Sequence, residues 1–326
     1  MAIQTKPLLA IGEKNEALTC PTCRKYQAYV YHIGVREDPE QPVYLCGYCR
    51  LLFLESPYED LREYYREEYR KSHDYKPGER LSAEERCSIS QPLMLEAAHV
   101  FKDNVPEGTS VLEIGCSSGG FLSHLVPEYD CYGNEWNPED AAFVRDVGET
   151  PCEEGYLDEI YPGKTFGAIA AIQVFEHVTD PVEWLKQVRA RLIGGGYLYM
   201  EVPNANDLLV SAYDIPEYKR FWYRQPHVTY WNADVLASIL TSMGFEAKVT
   251  FFQRYGLWNH MYWLMHGKPM DDPIEARVAH KPVPKIHPAA PSVNREWVRM
   301  DKQYRVMVEA LLATDSLRVV ARRRDI

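Results

Sequence analysis

From about residue 88 the chain alternates short apolar runs with amphipathic stretches. SVLEIG reads as a buried strand and GGFLSHLV as the helix after it. Strand DCYGNEW, helix PEDAAFVRDV, strand FGAIAAIQVF, helix DPVEWLKQVRARL and strand GGYLYMEVP continue the pattern, and helix ADVLASILTSMGF and strand FEAKVTFF follow. Upstream, SQPLMLEAAHVFKDNV has helical spacing, with Ser90 as candidate N-cap and Pro92 close behind. Strands and helices in this order imply an α/β fold, a parallel sheet with helices on both faces.

The flanks follow other rules. YQAYVYHIGV and PVYLCGYCRLLFL alternate at period two and predict strands of a compact β module. EDLREYYREEYRKSHDY has helical spacing and charges of both signs; it is either a connecting helix with a solvated face or a lid over an active site. Residues 268–291, rich in proline and histidine, read as a linker, and NREWVRMDKQYRVMVEALLATD as a terminal helix. The expected division is a module at 1–58, a helical connector or lid at 59–105, the α/β domain at 106–267 and a linker with C-terminal helix at 268–326. Arg318 and Arg322–Arg323–Arg324 read as a solvated helix end.

Cysteine spacing adds a metal to the picture. Cys20/Cys23 and Cys46/Cys49 form two C-x₂-C pairs, whereas Cys87, Cys116, Cys131 and Cys152 are scattered and read as core or loop residues. Four soft thiolates suit a closed, tetrahedral, structural Zn²⁺; disulfides and an iron–sulfur site are the alternatives. A metal would contribute folding energy to a module too small to bury a core. His32 and His73 are then ordinary histidines. No apolar run approaches the roughly 18 residues that span a bilayer, and MAIQTKPLLAIGEKNE lacks the apolar core of a secretory signal. A cytoplasmic protein is expected. The net charge of −11 argues against a general nucleic-acid binder.

The loop after the first strand, VLEIGCSSGGFL, carries the candidate chemistry. A glycine-rich turn between strand and helix lets a ligand approach the backbone. Gly115 and Gly120 fit the outer positions of a dinucleotide fingerprint, but Ser117 takes the middle one. Glu113, two residues before Gly115, is badly placed for a pyrophosphate and well placed for an ammonium group, and its charge favours a nearby sulfonium. Glu135, at the end of the second strand, can accept from both ribose hydroxyls, and Trp136 can pack on adenine.

These residues resemble the class I S-adenosylmethionine-dependent methyltransferases of the small-molecule branch, over about residues 88–266. The resemblance rests on VLEIGCSSGG, GNEWNP, IQVFEHVTDP, LIGGGYLYMEVPN and HVTYWNADVLASILTSMGF. It implies a Rossmann-like seven-stranded sheet in the order 3-2-1-4-5-7-6, the last strand antiparallel. It also implies S-adenosylmethionine as cofactor, held by Glu113, Gly115, Cys116, Ser117, Gly119, Glu135, Trp136 and Gln173. With the zinc-ribbon front end, the architecture is similar to that of deoxysugar and polysaccharide-pathway methyltransferases.

For a hydroxyl acceptor a base is needed, and histidine suits neutral pH. His177 follows the fourth strand and His227 precedes the next helix, and the resemblance supports histidines in both places. Pro226 stands where C-methylating relatives carry glutamate, which favours oxygen as the acceptor. Glu176 could equally orient a neighbouring backbone group, and Tyr223 and Tyr230 could line the pocket or pack its wall. The leading reading is an O-methyltransferase of a sugar-like or other small polar metabolite, with a nucleotide-linked or glycan sugar in view. An RNA methyltransferase gripping through the ribbon and basic C-terminus is an alternative. So is a non-catalytic cofactor-binding or interaction protein whose C-terminal helix pairs, and a homodimer stays open.

Overall fold

In the computed structural model the alternation resolves into two sheets. The structure describes residues 10–55, 61–72, 80–270, 275–277 and 290–325; His73 and much of 268–291 lie outside them. The smaller sheet contains β1 (Lys14–Asn15), β2 (Ala28–Ile33), β3 (Pro42–Cys46) and β4 (Leu52–Phe53). The larger contains β5 (Ser110–Ile114), β6 (Asp130–Asn134), β7 (Cys152–Glu153), β8 (Phe166–Ile172) and β9 (Leu192–Pro203). Thereafter β10 (Thr229–Tyr230) returns to the smaller sheet, while β11 (Phe245–Phe252) and β12 (Ser316–Arg323) complete the larger.

The larger sheet runs β7-β6-β5-β8-β9-β12-β11. In chain order within the sheet this is 3-2-1-4-5-7-6, with β12 antiparallel to both neighbours. Every residue of central β8 is buried, as expected of an apolar run covered on both faces. Helices Pro138–Asp146, Pro181–Arg191 and Ala233–Ser242 start at Asn137, Asp180 and Asn232, whose side chains accept hydrogen bonds from first-turn amides. Such caps fix where each helix leaves the strand tips. The loops that form the site are anchored there.

Three expectations change. The helix ahead of β5 runs Ala83–Asn104 and starts at Ser82, not Ser90. Ser82 and Glu85 cap each other reciprocally, an S-x-x-E signal just over two turns earlier. Pro92 sits inside this helix and simply forgoes one backbone hydrogen bond. Second, GGFLSHLV yields only a 3₁₀ turn, Leu122–His124. Third, the basic C-terminus is no solvated helix end. After the helix Ala290–Ala310 the chain enters the sheet as β12, burying Leu317, Val319 and Ala321 at period two. Arg318 is paired there with Glu201 at 2.8 Å and Glu96 at 3.1 Å.

The two sheets are joined through β10. Thr229 and Tyr230 pair antiparallel with Phe53 and Leu52, and the Leu54 amide donates to the Val228 carbonyl at 3.0 Å. The cysteine-bearing module thus holds the backbone immediately after His227. Among the described residues no helix is long and apolar enough to cross a membrane.

Candidate active site

A cavity of about 920 Å³ opens at the carboxyl ends of β5, β6 and β8, where open α/β sheets take their ligands. On one side it is walled by the first two strand tips. Glu113 is 4% exposed, and its Oε2 has no hydrogen-bond partner. Burial, with Cys152 and Glu135 adding to it, pushes this carboxyl well above the usual range. A bare carboxylate in such a place calls for a cation or donor. Gly115 has φ +68°, and a Cβ there would come within 2.7 Å of Val174 Cγ2. Glycine is required on both counts.

The remaining loop residues divide. Ser117 lines the cavity in left-handed conformation, φ +48°. Cys116 also lines it, with its thiol buried 3.7 Å from that of Cys152. Gly119, φ +80°, packs against Val144 rather than in the cavity wall, which Gly120 lines instead. Glu135 ties the loop to β6: Oε2 accepts from the Ser117 amide and Oε1 from the Asn137 amide, both at 2.8 Å. The Trp136 indole N–H donates to the Gly155 carbonyl at 2.8 Å. Gln173 reaches the same wall at φ +57°, its buried Nε2 without a partner.

The other side carries both histidines, their ring centroids 4.7 Å apart. His177 Nδ1 lies 2.7 Å from the Pro226 carbonyl and 2.6 Å from the Tyr65 hydroxyl. A carbonyl can only accept, so the proton sits on Nδ1 and the lone pair on Nε2. Beside it Glu176 is 1% exposed, and neither carboxylate oxygen has a hydrogen-bond partner. Burial pushes its carboxyl up to about 8. Tyr223 and Tyr230 are buried wall packing; the Tyr230 hydroxyl accepts from the Arg224 amide at 2.8 Å and steadies the turn before His227.

Residues 61–72 bridge the two sides. Tyr65 stands 5.9 Å from Trp136 and 5.5 Å from His177, ring to ring. Arg70 donates to Ser117 Oγ and Asp140 Oδ2, each at 2.7 Å. Through Arg70, residues 61–72 thus touch the glycine loop directly. Tyr65 and Arg70 line the cavity although the sequence reading does not single them out, whereas Glu176 appears there as able to orient a neighbouring backbone group. The repeated tyrosines of the segment were the only signal for the first two.

Cys20, Cys23, Cys46 and Cys49 converge, their sulfurs all within 4.8 Å of one another. The Cys20–Cys49 and Cys23–Cys46 sulfurs are 3.5 and 3.6 Å apart, near the ~3.8 Å edge of a tetrahedron with Zn–S bonds of about 2.3 Å. Both knuckles are built alike. Left-handed Arg24 and Arg50 follow them, each donating its amide at 3.0 Å to the carbonyl of the first cysteine, Cys20 or Cys46. His32 is elsewhere, half-buried against Tyr223, with burial first and then Lys219 lowering its basicity.

The methyltransferase domain family matches residues 83–248, just over half of the chain. The chain belongs to that family. It is a class I S-adenosylmethionine-dependent methyltransferase. Among solved structures, this methyltransferase is similar to an S-adenosylmethionine-dependent methyltransferase from Thermotoga maritima, at 16% identity and a TM-score of 0.46. That match covers 74% of this chain and 94% of that one. One from Archaeoglobus fulgidus has 19% identity and a TM-score of 0.46, covering 73% and 94%. One from Mesorhizobium loti has 16% identity and a TM-score of 0.44, covering 72% and 100%.

Proposed function

We propose that this methyltransferase methylates a hydroxyl oxygen of a sugar-like or other small polar acceptor. The carrying observation is a single cavity lined both by Glu113, whose buried Oε2 lacks a partner, and by the paired histidines. When bound, S-adenosylmethionine supplies the electrophilic methyl group. Glu113 meets the cationic methionine end, and Glu135 accepts from the ribose while holding the loop. Gln173 donates from its unpartnered Nε2, and Trp136 borders the adenine. His177 and His227 orient the acceptor hydroxyl, with the Nε2 lone pair of His177 available to its proton. Alignment in a covered cavity supplies much of the acceleration.

Arg36 and Arg224 line the same cavity. Burial, and then the neighbouring Arg224, hold Arg36 down to about 10. Two cations brought together in a cavity suit an acceptor bearing phosphate, such as a nucleotide-linked sugar. The RNA reading loses support, since Arg318 is engaged inside the sheet. Zn²⁺ is proposed as the structural metal of the four cysteines, leaving no open position for catalysis.

The test is transfer from methyl-labelled S-adenosylmethionine to a panel of free and nucleotide-linked sugars, with RNA alongside. Label on a sugar oxygen is expected. Label on RNA alone, or no binding of S-adenosylhomocysteine, overturns the proposal.

A further inference from the structure

Glu176, His177 and His227 converge on one part of the cavity wall, one ligand atom from each lying within 4.8 Å of the others. His177 Nε2 stands 3.9 Å from Glu176 Oε1. A hydrogen-bonded pair would lie at about 2.7–3.2 Å. Ligands that share one cation, each about 2.0–2.2 Å from it, lie roughly 3–4 Å from one another. The Glu176–His177 spacing falls within that range.

Two further observations agree. Glu176 is buried with both oxygens lacking hydrogen-bond partners, a costly state unless positive charge is supplied. His177 directs Nδ1–H at the Pro226 carbonyl, the kind of outer contact that fixes a metal-binding imidazole and leaves Nε2 as the donor atom. Pro226 precedes His227, so one short turn supplies one ligand and aims another. That turn is fastened to the cysteine module through β10.

We propose that Glu176, His177 and His227 bind a divalent first-row cation of the manganese, iron, cobalt or zinc kind, which in turn holds the acceptor hydroxyl. Two imidazoles and one carboxylate, with positions left open, suit these ions, whereas magnesium prefers oxygen ligands throughout. The inference rests on reading this side of the cavity as the acceptor pocket. On this account the histidines act on the hydroxyl through the cation. Coordination acidifies the hydroxyl, and its proton passes to water. The oxygen then forms the new O–C bond while sulfur keeps the electron pair of the broken S–C bond and becomes a neutral thioether. The acceptors best suited carry two neighbouring oxygens able to chelate, as vicinal diols do.

The test is a titration with Mn²⁺ of the full chain brought to one zinc per chain, the four cysteines' complement, following the paramagnetic resonance signal of the free ion. Mn²⁺ has little affinity for thiolates and so does not report on the cysteine site, and the variants assign its binding to this cluster. One saturable site per chain is expected, weakened at least tenfold in both Glu176→Gln and His227→Ala. Affinity for S-adenosylhomocysteine should stay within about threefold in both, which also certifies their folding; His177→Gln replaces either variant that fails to fold. No saturable site, or a site unmoved in the variants, overturns the cation and leaves the transferase standing. Loss of S-adenosylhomocysteine binding by the parent protein would instead overturn the transferase reading.

Discussion

The two sides of the cavity are built by different means. The cofactor side comes from neighbouring strand tips, with Glu113, Gly115 and Glu135 each set by the local turn that follows its strand. The acceptor side gathers residues 61–72, the turn after β8 and the turn before β10, and pins the last to a second sheet. Each side keeps one buried carboxyl group whose partner is missing, Glu113 or Glu176. On the proposed reading, local geometry suffices to hold a common cofactor. Recognition of a particular acceptor requires a second unit of structure.

The largest expected effect comes from uncoupling them. Cys46→Ser removes one of the four converging thiols and should release the metal, which elemental analysis of the parent should show at about one zinc per chain. Closed zinc sites contribute folding energy outright, so the module should loosen and β4 should lose its hold on β10. Methyl transfer should then fall by about two orders of magnitude, the usual scale for a misplaced reacting group. S-adenosylhomocysteine affinity, measured by calorimetry, should change less than about threefold. An equal loss on both sides would erase the distinction.

Next in size is Glu113→Gln, which should weaken cofactor binding at least tenfold, about 1.4 kcal/mol. Its stability signature runs the other way. The Glu113 carboxyl is held above its ordinary value by burial, so the folded chain favours the protonated form. That preference contributes fully below the unfolded carboxyl value and is lost as pH rises through the folded one. In the absence of cofactor the variant should therefore melt a few degrees above the parent at pH 8, with the gap closing towards pH 5. A variant less stable at both pH values would mean that the Glu113 carboxylate already has its partner.

The same division explains what could be read from the sequence. Glu113, Gly115 and Glu135 were legible because their spacing along the chain is also their arrangement in space. The cysteine knuckles were legible for the same reason, since C-x₂-C brings each pair together within one turn. Tyr65 and Arg70 were not, because helical spacing says that a segment has two faces but not which loop it covers. The seventh strand does not read as one, although Leu317, Val319 and Ala321 alternate, since its arginines suggest solvent. Their charge is answered by Glu201 and Glu96 and by the backbone carbonyls of Gly195 and Arg189. Ser90, with Pro92 close behind, reads as a cap, yet the reciprocal Ser82–Glu85 signal lies eight residues earlier.

Tyr65→Phe should have an intermediate effect that touches the acceptor side first. The hydroxyl meets His177 Nδ1 at 2.6 Å, while the ring contacts with Trp136 and His177 would persist in phenylalanine. Loss of one hydrogen bond is worth about 1 kcal/mol. A fewfold drop in turnover is expected, with S-adenosylhomocysteine affinity nearly unchanged. If affinity fell as far as turnover, the segment would belong to the cofactor side.

The smallest effect should come from Ser117→Gly, and its smallness is informative. Ser117 holds φ +48°, a left-handed conformation that costs a residue with a Cβ about 1–2 kcal/mol and glycine nothing. Its hydroxyl accepts from Arg70 at 2.7 Å, a contact worth about 1.5–3 kcal/mol for a charged donor in a buried setting and less where solvent reaches it. Glycine relieves the strain and forfeits the contact, while Arg70 keeps Asp140 as its ion-pair partner. The two terms nearly cancel, so the melting temperature should move by less than a degree or two. Hydrogen exchange in residues 61–72 should rise, because the segment loses a tether to the glycine loop. Unchanged exchange would show that Asp140 and the other contacts of the segment hold it without Ser117, leaving the glycine loop independent of what covers it.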